Sequence, residues 1–590
     1  MAEIPGGEPG AGGVKRLGWS LILVGLGLWG SLFWQALGGR VSTVLPQPDD
    51  EETDKARLAK LAGLRDAVRS GDNRAMVREL DRFLPKADEE KIWPKLIRQL
   101  ADEDASRRDT AMAALIEAGP VVLGHARRAR SMETDLTARA LLAALAEELP
   151  VKTTASALIQ TIRQADIGKD PASVRAVYWR LVPHTPDLAV EHALFRELEL
   201  DLATPGGVEA ARAHVADPDP ARRECAVRLL AGQSSQGDGL TALAKLVNDP
   251  DPAVSLRARL ALLDAGQPTR PVALAERLAD APAPLCRVAE SRLLALAQDA
   301  DPLPPWQEDA ASRSACADAW KRWLAEPGRD TLELKPTRRL ERLLIGQINS
   351  AQNESVLLEL DPAGKTLERL LTNDQIVACG YDAAGRAFVA KADQASAELA
   401  WPFRKGDDRR KAVDLDGRVV AVMPLEGGGY LVARRDRVNR LDADGKESGP
   451  PLVSLGKRII SGAARARDGW FALWRDDGIV SWHNATGESV GQFRLPPPQV
   501  VGIGLQALPG RRLLVPLVGE NRLAELDRDG RELHSVAVES PLAALRLPEG
   551  GTVVGSPEGL LRFDPADHQV ARQRVDWLPV ALGVSLGSAR

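Results

Sequence analysis

Hydrophobic positions fall into three successive patterns along the chain. From Leu17 to Leu37 they form a 21-residue apolar run without a charge. As a helix rising about 1.5 Å per residue it spans roughly 31 Å, the thickness of a hydrocarbon core. From residue 55 to 326 apolar residues recur at spacings of three and four, as in Leu58, Leu61, Ala62, Leu64 and Val68, or Trp93, Leu96, Ile97 and Leu100. That period predicts short amphipathic helices. Beyond Pro327 the helical period disappears. Alternating runs at 429–436, 469–477 and 551–559, each followed by a second run and a turn, predict β-meanders.

The apolar run reads as a transmembrane helix. Lys15 and Arg16 precede it, and Trp19, Phe33 and Trp34 suit the interfacial belts. The basic pair favours a cytoplasmic N terminus and an extracytoplasmic bulk, against the pull of Arg40, Lys55 and Arg57 on the other side. A cleaved signal peptide is the alternative, since Ala36 and Gly38 make a small-x-small site, but the run exceeds the usual h-region of about 7 to 15 residues. Gly25, Gly27 and Gly30 spell GxGxxG, without the flanking strand and helix that a dinucleotide site needs. Gly27 and Ser31 form a small-xxx-small pair, and the oligomeric state stays open. The expected organisation is a disordered N terminus (1–16), the span (17–37), a linker (38–54), a helical array (55–326), a second linker (327–339) and a strand-rich domain (340–590).

Within the helical region one motif recurs. Asp104, Asp219 and Asp251 are each followed by Ala seven residues later and Leu eleven later: Ala111 and Leu115, Ala226 and Leu230, Ala258 and Leu262. Pro282 starts a fourth copy with Ala289 and Leu293, and the last three starts lie 32 and 31 residues apart. Asp suits an N-cap, Pro220 and Pro252 the first turn, and Gly119 and Gly266 the helix end. The small Ala admits a neighbouring helix and Leu fills the groove, so the copies must stack to bury that face. The pattern resembles HEAT-like repeats of the phycobilisome-lyase type, more loosely from 130 to 210, where Pro183, Pro186 and Pro205 interrupt it. The resemblance implies an α-solenoid that presents a curved surface to another protein, without implying lyase chemistry.

The strand-rich region repeats as well. The ends of its second strands align at Asp361, Asp442, His483, Asp527 and Asp564, with gaps of 81, 41, 44 and 37 residues, and a degenerate copy at Trp401 and Pro402 splits the first gap. Six units of about 40 residues have the dimension of propeller blades, whose radial closure removes exposed sheet edges. The region looks like the NHL-like, pyrroloquinoline-repeat-like and WD-like propellers, although it lacks WD dipeptides. A seventh blade stays open if residues 336–360 close with the C terminus.

Charge narrows the partners. With 77 basic against 82 acidic residues and a net charge of -5, the chain offers no long-range field for phosphate backbones, which excludes nucleic acid. Cys225, Cys286, Cys316 and Cys379 form neither a disulfide framework nor a CxxC metal site. The DADG and DRDG turns at Asp442 and Asp527 lack the third acid and the Glu of a calcium loop, and read as type I′ hairpin turns. His184 and His192 straddle Pro186 and so do not share a continuous helix. No catalytic, cofactor-binding or metal-ligating residue is assigned, and no cofactor.

The candidate partner-binding residues are Trp470, Trp474 and Trp482, which with Phe471 form the densest aromatic cluster, and Arg127, Arg128 and Arg130 beside His125. Blade core is the alternative for the tryptophans, and solvated surface for the arginines. Trp320 and Trp323 are expected to cap the solenoid where it meets the propeller, with Pro302 to Pro305 as a stiff joint. The expected function is a membrane-tethered scaffold docking unidentified protein partners. The alternative is a propeller enzyme, a metal-dependent lactonase-like hydrolase or a lyase, whose inner strands would have to carry converging carboxylates. A sensor reporting across the membrane is a third reading, which would need a partner for its output.

Overall fold

Aspartates start many helices of the N-terminal half. In the computed structural model, which describes residue 59 and residues 62–586 other than 134, 150, 166–169, 205, 234–236, 298–303, 330, 335, 337–339, 350–353, 393–396, 402–411, 416, 467, 568, 574 and 576, Asp104, Asp219 and Asp251 cap helices Ala105–Ala118, Pro220–Gly232 and Pro252–Asp264. Their carboxylates accept the amide of Ser106, those of Ala221 and Arg222, and those of Ala253 and Val254. Asp135, Asp170, Asp187 and Asp309 cap four further helices that the recurrence did not single out.

The repeated small and large residues face inward. Ala111, Leu115, Ala226, Leu230, Ala258, Ala289 and Leu293 are fully buried, and Leu262 packs half-buried at the same surface. The helix Pro220–Gly232 packs on Pro252–Asp264, which packs on Ala283–Ala297. Helices continue through the looser stretch, as Leu136–Glu148, Val151–Gln164, Pro171–Leu181 and Leu188–Asp201. Pro183 sits in a short 3-10 turn, Val182–His184, where it has no helical hydrogen bond to break. One buried cluster runs from Leu64 to Ala261 and a second from Ala253 to Leu334, and the helix Pro252–Asp264 contributes to both. Trp320 lies inside the second cluster.

After the last helix, Ala310–Leu324, the first strand begins at Leu340. Among the described residues twenty-four strands form six four-stranded antiparallel sheets. Blade 1 combines the C-terminal strand Leu578–Leu586 with Leu340–Asn349, Glu354–Leu360 and Thr366–Thr372, pairing Ile345 with both Leu582 and Leu358. Blades 2 to 6 follow in chain order, starting at Gln375, Val419, Ile460, Gln506 and Ala543. The first strand of each blade neighbours the next around the axis, and Leu578–Leu586 closes the ring. Residues 340–349 thus do close with the C terminus, but inside one sheet with the two strands that follow, so the count is six and not seven.

All six sequence anchors, Asp361, Trp401, Asp442, His483, Asp527 and Asp564, fall where the third strand of a blade turns into the fourth. The turn at Asp442 differs from expectation. Gly445 has φ +84° while Asp444 is not in the left-handed region, so a single positive-φ residue follows an ordinary turn, and a type I′ pair is excluded. The Asp442 carboxylate accepts the amides of Asp444 and Lys446, and Asp527 does the same for Asp529 and Arg531. These acids serve the turn itself.

Among the described residues no helix is long and apolar enough to cross a membrane, and the segment Leu17–Leu37 lies outside them.

Candidate functional site

One helix of the array packs directly on the propeller. Ala283–Ala297, the fourth copy of the repeated motif, lays Val288 and Leu294 against the turns that join the first two strands of blades 6 and 5. Those turns carry Gly550 and Gly510, at φ +93° and +74°; a Cβ on either would stand 2.5 Å from Val288 or 2.8 Å from Leu294. Only glycine allows so close an approach in that backbone conformation.

Around this apolar contact lies a set of charges. Glu290, 1% exposed, accepts two hydrogen bonds from Arg512 of blade 5, at 2.7 and 2.9 Å, and one from the Trp306 amide at 2.8 Å. Arg512 also reaches Glu525 at 3.3 Å, and Arg546 donates to Glu525 at 2.7 Å. Arg287 donates to the Asp567 carboxylate at 2.6 Å and to the Pro565 carbonyl at 2.8 Å; Arg292 donates to the Pro548 carbonyl at 2.7 Å. His534 Nε2 lies 2.6 Å from Asp567 Oδ2, an ion-pair separation at an angle outside hydrogen-bond geometry.

A cavity of about 370 Å³ opens here, lined by Arg287, Glu290, Trp306, Arg512, Glu525 and His534 among others. Burial alone would raise the Glu525 carboxyl, but Arg546 and Arg512 outweigh it and hold it below the usual carboxylate range. Asp567 is likewise lowered: burial opposes, and His534 and Arg287 prevail. Every acid named here faces an arginine or histidine, so these charges are paired across the contact between helices and propeller. Trp320, expected at this joint, is instead fully buried among helices, and Trp323 stacks on Arg329 at 4.1 Å. Of the Pro302–Pro305 segment, residues 302 and 303 lie outside the described residues.

The six residues singled out for partner binding separate. Trp474 and Trp482 are 2% exposed and pack in the core between blades 4 and 5 with Leu513, Val515 and Leu526. They are not a surface patch, because the inward face of their strands carries them. Trp470 is half-buried, with the Arg511 guanidinium 3.5 Å from its ring centre. Arg127 donates to Glu191 and Thr185, and Arg128 binds Glu224 and Asp251, so both tie helices together within the chain. Arg130 is exposed.

The four cysteines are free and buried. Burial pushes the thiols of Cys225, Cys286 and Cys379 up to about 12, which leaves them unreactive.

Histidines that the sequence keeps apart come together. His125, in the helix Leu123–Met132, meets His184, 59 residues later, with ring centres 5.2 Å apart. Trp93 sets its edge or face at 72° and 86° to the two rings, at 5.6 and 5.7 Å. Glu90 completes the group, its Oε1 3.5 Å from His184 Nε2. His192, eight residues from His184, instead lies 3.8 Å from Asp564. No spacing rule links residues 90, 125 and 184, because each lies on a different helical segment.

The six innermost propeller strands contain no Asp, Glu or His, being built from Val, Leu, Ala and Gly with Arg465, Arg546, Cys379 and Tyr381 as their titratable residues. No family model and no curated protein matches the chain. Similar solved structures include a protein of unknown function from Bacteroides caccae, at 11% identity over 42% of this chain and 98% of that one, with TM-score 0.33. Virginiamycin B lyase from Staphylococcus aureus is similar at 11% identity over 40% and 85%, with TM-score 0.30. The WD40 β-propeller domain of Doa1 is similar at 14% identity over 38% and 74%, with TM-score 0.29. Likeness at this level carries no argument about activity.

Proposed function

We propose that the chain is a membrane-tethered scaffold that docks protein partners on a HEAT-like helical solenoid and a six-bladed propeller. The observation that carries this reading is the joint at Glu290 and Arg512, which ties the two arrays together through a buried, bidentate ion pair. A platform with two docking surfaces binds best when their relative placement is set beforehand, because ordering a hinge at binding costs entropy. The 32-residue recurrence with buried Ala and Leu supports the HEAT-like assignment. The apolar run from Leu17 to Leu37 behind Lys15 and Arg16 supports a single span, a cytoplasmic N terminus and an extracytoplasmic bulk. The near-neutral charge favours protein over nucleic acid. A propeller hydrolase or lyase would need polar groups converging on the axis, and inner strands free of carboxylates favour the scaffold.

The test is crosslinking in native membranes followed by capture of the full-length chain and of a Glu290→Ala/Arg512→Ala variant. The scaffold reading expects a defined set of proteins with the unmodified chain and loss of part of that set with the variant. A folded, membrane-located chain that captures nothing would overturn it.

A further inference from the structure

Glu90 ends the short helix Ala87–Glu90, His125 lies in the first turn of Leu123–Met132, and His184 closes the 3-10 turn Val182–His184. One potential ligand atom from each lies within 4.8 Å of the other two. We propose that Glu90, His125 and His184 bind one divalent transition-metal ion, zinc by their ligand chemistry. The inference is independent of the scaffold reading.

Two imidazoles and one carboxylate are ligands that zinc accepts at about 2.0 to 2.2 Å, and tetrahedral angles at those bond lengths set neighbouring donors about 3.3 to 3.5 Å apart. His184 Nε2 and Glu90 Oε1 already stand at 3.5 Å. His125 has only to close the remaining gap.

Burial strengthens the case. His184 is 1% exposed, and both His184 Nδ1 and His125 Nε2 are buried without a hydrogen-bond partner among the described residues. A buried, unpartnered His125 Nε2, on a ring packed beside those of His184 and Trp93, is costly as mere core filling. A cation bound between His125 Nε2 and the His184 Nε2 that already faces Glu90 turns that cost into ligation.

The backbone holds the trio in place. A Cβ on Gly124 would stand 2.2 Å from the Pro183 carbonyl oxygen, so only glycine lets the helix carrying His125 lie against the turn carrying His184. Arg127 then fastens that turn by donating to Thr185 at 3.0 Å.

Neighbouring charge is close to balanced. Arg222 approaches Glu90 at 3.7 Å and is itself met by Asp217 at 3.5 Å, while Asp219 and Arg128 act on His125 with opposite signs. The Glu90 side chain is 27% exposed, which gives an ion a way in. Three protein ligands, with water or a further donor in the fourth position, match the ligand count of sites that keep an exchangeable position.

The test uses the untagged full-length chain, stripped with a chelator and titrated with zinc chloride in a calorimeter. The expected result is one Zn²⁺ per chain with a Kd below about 1 µM, and no heat from Mg²⁺ at the same concentration. Glu90→Gln and His125→Asn should each weaken zinc binding by at least about tenfold, while His192→Asn, outside the trio, leaves it unchanged. No binding by the unmodified chain, or binding by both trio variants as tight as that of the unmodified chain, overturns the proposal. Should either variant fail to fold, X-ray absorption at the zinc edge of the loaded unmodified chain decides: imidazole and oxygen donors support the site, and sulfur donors from the buried cysteines overturn it.

Discussion

Arg512 of blade 5 and Glu290 of the helical array are joined by two hydrogen bonds of 2.7 and 2.9 Å across 222 positions of sequence. Both side chains are nearly out of solvent, at 12% and 2% exposure. In that setting the pair's value lies less in its own attraction than in the penalty for breaking it.

Replacing Arg512 by Ala alone should therefore destabilise the chain by about 3 to 5 kcal/mol, because Glu290 is left buried without its cation. Replacing both Arg512 and Glu290 by Ala should cost clearly less than the sum of the two single Ala changes. Urea unfolding of the two single and one double variant gives the coupling energy. Additive losses would show that the pair is not coupled.

Acid should loosen the molecule in a defined window. Burial raises the Glu224 carboxyl, yet Arg128 and Arg257 overcome it and hold it at about 2, and Glu525 and Asp567 at the joint are lowered in the same sense. A carboxyl with a folded pKa below its unfolded value binds fewer protons when folded. Its contribution is thus complete above about pH 4.5 and is lost as the pH falls toward about 2. Thermal melts from pH 7 to pH 2 should show the steepest fall there, and Glu224→Gln should flatten it.

Gly550 makes the sharpest steric prediction. Alanine there carries a left-handed backbone penalty of about 1 to 2 kcal/mol, and its Cβ would stand 2.5 Å from Val288, so overpacking adds about 1 to 3. Gly550→Ala should lower the melting temperature. Adding Val288→Ala should recover the packing part and leave the backbone part, which separates the two causes.

The caps differ in weight. Asp219→Ala removes a helix cap and should cost about 1 kcal/mol. Asp251 caps its helix and also takes a 2.6 Å hydrogen bond from Arg128, so Asp251→Ala should cost about 2 to 4 kcal/mol. Equal losses in chemical denaturation would mean that the Arg128 bond contributes nothing.

Local pattern determines a good deal of this protein. The spacing of Asp, Ala and Leu marks helix starts and buried faces because a cap and a 3.6-residue period act within a few positions. The anchors Asp361, Asp442 and Asp527 mark blades because each of those turns is made by its own Asp, amides and Gly. Tertiary structure decided what depends on distant surfaces meeting. Trp474 and Trp482 alternate along their strands like any apolar residue, and only the adjoining blade shows that they are core. Arg127 and Arg128 look like a basic patch until Glu191, Glu224 and Asp251 arrive from other helices. Glu290 and Arg512, or Glu90, His125 and His184, share no spacing at all. The sequence by itself determined the helical region and the blades that follow it, since their rules are short-range. The closure at six blades, the charged joint and the histidine pair were decided by packing, because each requires segments tens to hundreds of residues apart to be brought within a few ångströms.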